Sequence, residues 1–337
     1  MPSWNRTWYT QMNMTDPDTS SATNAAKGMF WSIKAALLGQ LTGTAGPEGA
    51  PSAGYYWTCE GSSDSSTAGM DATDRMTSTY TLSKIVQASS GVHTWIVLKS
   101  PSGMPGGPYY LCLDYVSTGA QVIRAYGARA AFTGGSTSAR PTSTKEWDIG
   151  GAAEFAITDN AAATYRSHLA ISANGDFYMA FNKSGSNFFW GALAFVGLDN
   201  TRSGDTTKAV TLMTPFSASG AFVTPYLSTT KVMARTYNDG ASVANGSICM
   251  MDYYTGSSPA SWTTVATAVN AADSKADPLP LFVHDKTSGA MGVRGTMPDC
   301  WHTGGQLAHG SVEPASGDIK HVSIGQIMMP FSVVPSL

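Results

Sequence analysis

Charge is what this sequence has least of. Of its 337 residues, 13% are Asp, Glu, Lys or Arg, where a soluble domain carries about 25%. The net charge is −3, from 20 basic and 23 acidic residues, and neither sign forms a block. Nucleic-acid binding is excluded on that ground, because neutralising a phosphate backbone takes clustered Lys and Arg. Long apolar runs are missing too. The longest, residues 188–198 (FFWGALAFVGL), falls short of the roughly 20 residues that cross a bilayer, so it reads as a buried strand and membrane insertion is not expected. Cysteine is scarce and scattered: Cys59, Cys112, Cys249 and Cys300, with no CxxC pair. Cys112 and Cys249 sit in apolar strand-like runs, which predicts buried free thiols. The N-terminus has no basic stretch leading into an apolar one, so synthesis and folding in a cytoplasm are expected.

Signatures of catalysis are absent as well. There is no GxSxG elbow, no GxGxxG after a strand and no P-loop. Glu occurs only at positions 48, 60, 146, 154 and 313, and nothing marks two acids as the facing pair that glycoside cleavage needs. An enzyme is not expected, and no cofactor is implied.

Polarity comes instead from 76 Ser and Thr residues and 35 Gly. With 42% hydrophobic residues, the chain can build a large core, and at this size folding removes about three quarters of its surface from water. One amphipathic helix is predicted over residues 23–41. Phe30, Ile33, Leu37 and Leu41 recur there at spacings of three and four. Ser20, Ser21 or Thr23 can cap it, and Gly39 or Gly43 can end it. Before it, residues 1–18 form a polar, Met-containing arm with Trp4 and Trp8. Two indoles are costly to leave in water, so the arm either docks on its own domain or contacts a partner, with Trp4 and Trp8 as the contacts.

From residue 54 onward, short β-branched and aromatic runs alternate with Gly, Pro, Ser and Asn. Strands are predicted at 55–60, 94–99, 109–116, 121–126, 168–172, 177–181, 188–196, 209–213, 231–237, 247–254, 279–283 and 322–328. Turn signals such as Ala173-Asn174-Gly175-Asp176 separate them. The helices that parallel crossovers require are missing, so the expected fold is mainly β, an antiparallel β-sandwich or jelly roll with one N-terminal amphipathic helix. A second short helix is possible at 265–272. No fixed-period repeat occurs. The expected organisation is an arm and helix over residues 1–44, then one large β domain over 45–337 that can comprise two apposed sheets.

Three polar or aromatic groupings have a functional and a plainer reading. Asp299, Cys300, Trp301 and His302, followed by His309 and His321, make a polar constellation in which Cys300, His302 and His309 are competent zinc ligands. The spacing C-x-H-x6-H fits no zinc module, and a Gly- and Trp-rich loop with backbone-bonded His is the simpler reading. Asp64, Asp71 and Asp74 lie in a Ser-rich stretch without the spacing of a calcium loop, which suits a polar loop capped by its own side chains. Tyr55-Tyr56-Trp57, Tyr109-Tyr110 and Tyr253-Tyr254 can form a sugar platform; the plainer reading puts these aromatics in the core and at subunit contacts.

Several stretches taken together carry a family resemblance. Residues 57–76 (WTCEGSSDSSTAGMDATDRM), 93–101 (HTWIVLKSP), 109–115 (YYLCLDY), 132–147 (FTGGSTSARPTSTKEW), 293–305 (VRGTMPDCWHTGG) and 321–337 (HVSIGQIMMPFSVVPSL) are similar to a group of virion structural proteins of tailed bacteriophages. The resemblance implies a non-enzymatic, homo-oligomeric virion component of the tail, neck or baseplate, or one associated with a fibre. Its partners would be further copies of itself and neighbouring virion proteins. A capsid decoration protein, or a glycan-binding module for host adsorption with a host glycan as ligand, are the alternatives. The group contributes no catalytic residues. Scarce charge with abundant aromatics and 16 Met agrees with this reading, because interface cores lose charged residues and gain aromatics and Met.

Overall fold

The computed structural model describes residues 6–13, 22–39, 44–45, 52–63, 93–117, 121–136, 138–148, 155–157, 165–183, 190–201, 203–214, 234–236, 246–251, 279–285, 293–302, 312–313, 320–324 and 327–331. The fold is mainly β. The chain opens with β1 (Trp8–Asn13), α1 (Ala22–Leu37), β2 (Thr44–Ala45) and β3 (Thr58–Ser62). Next come β4 (His93–Lys99), β5 (Tyr110–Ser117), β6 (Gln121–Ala128), β7 (Glu146–Asp148) and β8 (Phe155–Ile157). They are followed by β9 (Tyr165–Ser172), β10 (Phe177–Lys183), β11 (Trp190–Gly197), β12 (Ala209–Thr214), β13 (Ala234–Thr236) and β14 (Gly246–Met251). The chain ends with β15 (Leu279–Asp285), β16 (Val293–His302), β17 (Val312–Glu313), β18 (Lys320–Ile324) and β19 (Ile327–Phe331).

Among the described residues these strands make two antiparallel sheets. The smaller has the order β3-β4-β5-β6-β7, with β8 also paired to β6. The larger has 13 strands, in the order β17-β18-β19-β16-β15-β14-β13-β12-β11-β10-β9-β1-β2. Side chains alternate across a strand, and in β9 to β12 both alternating sets are buried. Leu169, Ile171, Phe177, Met179, Phe181, Leu193 and Phe195 join one core with Ile96, Leu98, Leu111, Leu113, Tyr115 and Ile123 of the small sheet. On the other side Ala170, Tyr178, Ala180, Ala192, Ala194 and Val196 meet Leu281, Val283, Met297, Val322, Met329 and Phe331. The large sheet therefore doubles back, and its C-terminal strands cover strands nearer its middle. Four of those residues are alanines, and small side chains let the covering layer come close.

Helix α1 supplies Met29, Phe30, Ile33, Ala35, Ala36 and Leu37 to the first core. The predicted stripe is real for Phe30, Ile33 and Leu37, each 0% exposed, while Leu41 lies outside the described residues. Gly39 ends the helix with φ 66, and its N–H bonds the Ala36 carbonyl at 3.2 Å, as expected for an αL cap. The Trp57 N–H then takes the Leu37 carbonyl at 2.9 Å. Five aromatic rings pack together within this core. Trp57 packs on Phe177 and Phe195, and Tyr109 and Trp147 pack on Phe195 as well. Their polar atoms are satisfied: the Trp57 indole donates to the Gly175 carbonyl, the Trp147 indole to Thr211 Oγ1, and the Tyr109 hydroxyl to the Pro105 carbonyl.

The arm region is part of this architecture. Strand β1 pairs antiparallel with β9, Trp8 opposite Ser172 and Asn13 opposite Ser167, and β2 pairs with β1 on its other side. The run predicted at 322–328 is in fact two strands, β18 and β19, paired so that Ile324 faces Ile327. The helix predicted at 265–272 lies outside the described residues.

Placing a carboxylate in the α1 stripe tests this core. Leu37→Asp buries an unpaired acid at a cost of several kcal/mol. The expected outcome is loss of the cooperative melting transition by circular dichroism; an unchanged melting temperature would show that Leu37 is not buried.

Candidate functional site

The densest convergence of polar groups lies where the N-terminal segment meets the large sheet. Its foundation is the turn between β9 and β10. The Asn174-Gly175 pair closes it, with the Gly175 N–H on the Ser172 carbonyl and the Ser172 N–H on the Asp176 carbonyl, both at 2.9 Å. This geometry fixes Asp176 at the mouth of β10. There its carboxylate accepts from Ser172 Oγ at 2.8 Å and from the Gly197 N–H at 2.6 Å. Asp199 follows β11 and exchanges backbone hydrogen bonds with Thr296 of β16. Asp299, also on β16, has φ 51.

Arg6 joins these three acids. Its Nε donates to Asp176 Oδ2 at 2.6 Å, Nη1 to Asp199 Oδ1 at 2.8 Å and Nη2 to the Gly197 carbonyl at 3.0 Å. Its backbone N–H reaches Asp299 Oδ2 at 3.1 Å, and the Trp8 indole donates to the same oxygen at 2.7 Å. The side chains of Arg6 and Asp176 are 7% and 0% exposed, so the charges are strong in each other's field and costly to separate. Burial pushes the Asp176 carboxyl up, against the pull of Arg6 and of the Gly197 and Ser172 donors. Burial opposes the charge on Arg6, but Asp176 and Asp199 outweigh it and its pKa is raised. The Arg6 cation thus ties the β9–β10 turn and the end of β11 to the N-terminal segment, and the Arg6 N–H with the Trp8 indole adds β16.

The same spot continues into the second core. The Tyr178 hydroxyl donates to the Pro298 carbonyl at 2.8 Å. His321 Nε2 lies 3.1 Å from the Asp299 carbonyl, an oxygen that only accepts, so Nε2 carries the proton. Burial lowers the His321 pKa to about 4, which keeps the ring neutral at pH 7. The Cys300 thiol is also buried and its pKa is pushed up. Of the candidate zinc ligands, Cys300 therefore belongs, with His321, to the packing around Asp299, His302 ends β16, and His309 lies outside the described residues. Among the described residues no group of three or more His, Cys, Asp or Glu side chains is placed to hold a metal ion. Asp64, Asp71 and Asp74 lie outside the described residues.

A second polar grouping covers the outer face of the small sheet. His93 Nδ1 sits 2.9 Å from each oxygen of Asp114, whose side chain is fully buried. Burial pushes Asp114 up while His93 pulls it down. Arg140 grips Glu146 through two bonds of 3.0 and 2.6 Å and lies 3.5 Å from the centre of the Tyr126 ring. The Trp95 indole donates to the Ser136 carbonyl, which draws the 129–145 segment over the sheet. Cys112 beneath it is fully buried, and its thiol is pushed well above its ordinary value, so it is held as a protonated, unreactive group.

Trp8, one of the two predicted partner contacts, is 0% exposed inside its own chain, and Trp4 lies outside the described residues. The arm's docking on its own domain is thus the alternative this geometry realises for residues 6–13. Among the candidate sugar-platform aromatics, Trp57 and Tyr109 are core residues. Tyr55, Tyr56 and Tyr110 are half-buried, and Tyr253 and Tyr254 lie outside the described residues. Sequence reasoning missed Arg6 and Asp199, and it placed Asp176 in a turn and Asp299 in the C-terminal polar constellation without joining them. Two signals were present: Arg6 is the one basic residue among the first 18, and Asp176 completes the Asn-Gly turn.

Two measurements test this assignment. Arg6→Met strands Asp176 without its cation and is expected to cost about 3–5 kcal/mol of stability, with part restored by adding Asp176→Asn; a change below 1 kcal/mol in denaturant melts, read against about 0.5 kcal/mol for ordinary surface substitutions, would show that the tie contributes little. For His321, the unfolded ring binds a proton below about pH 6.5 and the folded ring only below about 4. Its contribution is therefore intact above the higher value and lost as pH falls toward the lower, an effect of about 3 kcal/mol. His321→Gln is expected to flatten the stability–pH curve between these limits; an unchanged slope would contradict the assignment.

The chain matches no protein-family model and no curated protein.

Proposed function

We propose that this protein is a non-enzymatic structural component of a tailed-bacteriophage virion, an oligomeric element of the tail, neck or baseplate made in the host cytoplasm. The observation that carries the reading is the use made of ionisable groups. Arg6, Asp176, Asp199, His93, Asp114, Arg140 and Glu146 are engaged in ties between strands and loops, the pattern of a chain built for mechanical integrity. Scarce charge, the family resemblance and opposed sheets around a common core point the same way. We read the two sheets as a β-sandwich of jelly-roll type, in which the doubled large sheet forms the body and the small sheet a cap.

Placement as a capsid decoration protein differs from the tail reading in copy number per particle. The test is quantitative mass spectrometry of purified particles with immunogold labelling of intact virions. The expected result is stoichiometric incorporation with label at the tail or neck. Label spread over the head would replace the tail by the capsid surface, and absence from washed particles would sink the proposal.

A further inference from the structure

The N-terminal strand occupies a seat that recognises it by side chain. The seat is the β9 edge together with Asp176, Asp199 and Asp299. Its contacts with the segment are specific at two positions, the Arg6 guanidinium across Asp176 and Asp199, and the Trp8 indole on Asp299. The seat lies in the chain from residue 165 onward, flanked by the short pairing with β2 and by Tyr55, whose ring packs on Tyr9 at 4.9 Å between centres. Helix α1, which follows the segment, is docked elsewhere, in the core between the sheets. Eight residues, 14–21, separate strand from helix, with Pro17 among them. Extended, they span at most roughly 26–29 Å, which is the reach available to the strand with the helix left in place.

We propose that this seat is an exchange site that takes residues 6–13 of a second copy of the chain as well as its own. The contacts are the same in either case, so the choice is set by concentration. A short tether holds its own strand at an effective concentration on the order of millimolar, and copies packed side by side present their neighbours' strands at a comparable level. The seat also resists standing empty: Asp176 and Asp199 would lose the Arg6 guanidinium, Asp299 the Arg6 N–H and the Trp8 indole, and the β9 edge its pairing partner. Refilling, by its own strand or by a neighbour's, is therefore the outcome of release. The supply of neighbouring strands rests on the oligomeric reading proposed above, whereas recognition of residues 6–13 by the seat is a property of the chain itself.

Asn13 and Ser167 face each other across β1 and β9, within reach of a disulfide. Two full-length chains with distinguishable tags, one carrying Asn13→Cys and the other Ser167→Cys, are unfolded, mixed, refolded and oxidised, and the 13–167 link is identified by peptide mapping. A single chain carrying both changes reports the intramolecular link. The expected result is an interchain 13–167 link at about a tenth or more of the intramolecular yield, reduced at least about tenfold when Arg6→Gln is added to the chain that carries Asn13→Cys. An intramolecular link with no interchain link would overturn exchange. Interchain linkage indifferent to Arg6→Gln would overturn recognition by the acidic seat. Absence of both links would overturn the seat itself.

Discussion

Phe177, Met179 and Phe181 leave β10 on one side and Tyr178 and Ala180 on the other, and all five are out of water. A strand of that kind needs cover on both faces. The small sheet and α1 supply it on the aromatic side. On the alanine side the cover comes from the same sheet, whose C-terminal strands return over β9 to β11. Phe331 stacks on His168 at 4.3 Å between ring centres, which brings the last described strand onto β9. The order of layers, and the position of nearly every buried side chain described above, follow from this double burial.

A layered β body held by apolar contact alone can slide, since dispersion and hydrophobic burial have little directionality. The few charges of this chain supply direction. Arg6 fixes three separate segments at once, and Arg294, 2% exposed, joins Asp205 at 3.1 Å and the Thr207 carbonyl, binding β16 to the loop ahead of β12. His93 with Asp114 and Arg140 with Glu146 do the same for the small sheet. Such ties add little net stability when formed, because desolvation offsets attraction, yet breaking one is costly. They therefore select one arrangement over near alternatives.

How much of this was legible in the sequence depended on distance along the chain. The strands at 121–126, 168–172, 177–181 and 209–213 match β6, β9, β10 and β12 to within a few residues, because β-branched and aromatic runs bounded by Gly or Asn are local signals. The hairpin of β18 and β19 was read as one strand, although Gly325 stood between its halves. Strand β16 carries no strand signal: VRGTMPDCWH holds Gly, Pro and Asp, all disfavoured in strands. Tertiary packing overrides those preferences. Gly295 lets the Asp199 backbone approach, where a Cβ would meet the carbonyl oxygen at 2.6 Å, and the Pro298 carbonyl serves Tyr178. Strand β1 carries no apolar alternation and is defined by its pairing with β9. The acidic seat was the least legible feature, since Arg6 meets Asp176 and Asp199 across 170 and 193 positions, beyond any local window.

That separation has a consequence in time. The Arg6 N–H and the Trp8 indole bond a carboxylate that lies 293 and 291 positions later. A ribosome adding about 5–20 residues each second makes Asp299 roughly 15–60 s after it has made Arg6. Through that interval the first strand has emerged and the last layer of its seat does not yet exist. On a polysome, several such unseated strands travel close together, each beside a more complete chain on the ribosome ahead while its own second half is still unmade. The clasp on Asp299 is thus among the last contacts that a growing chain can complete.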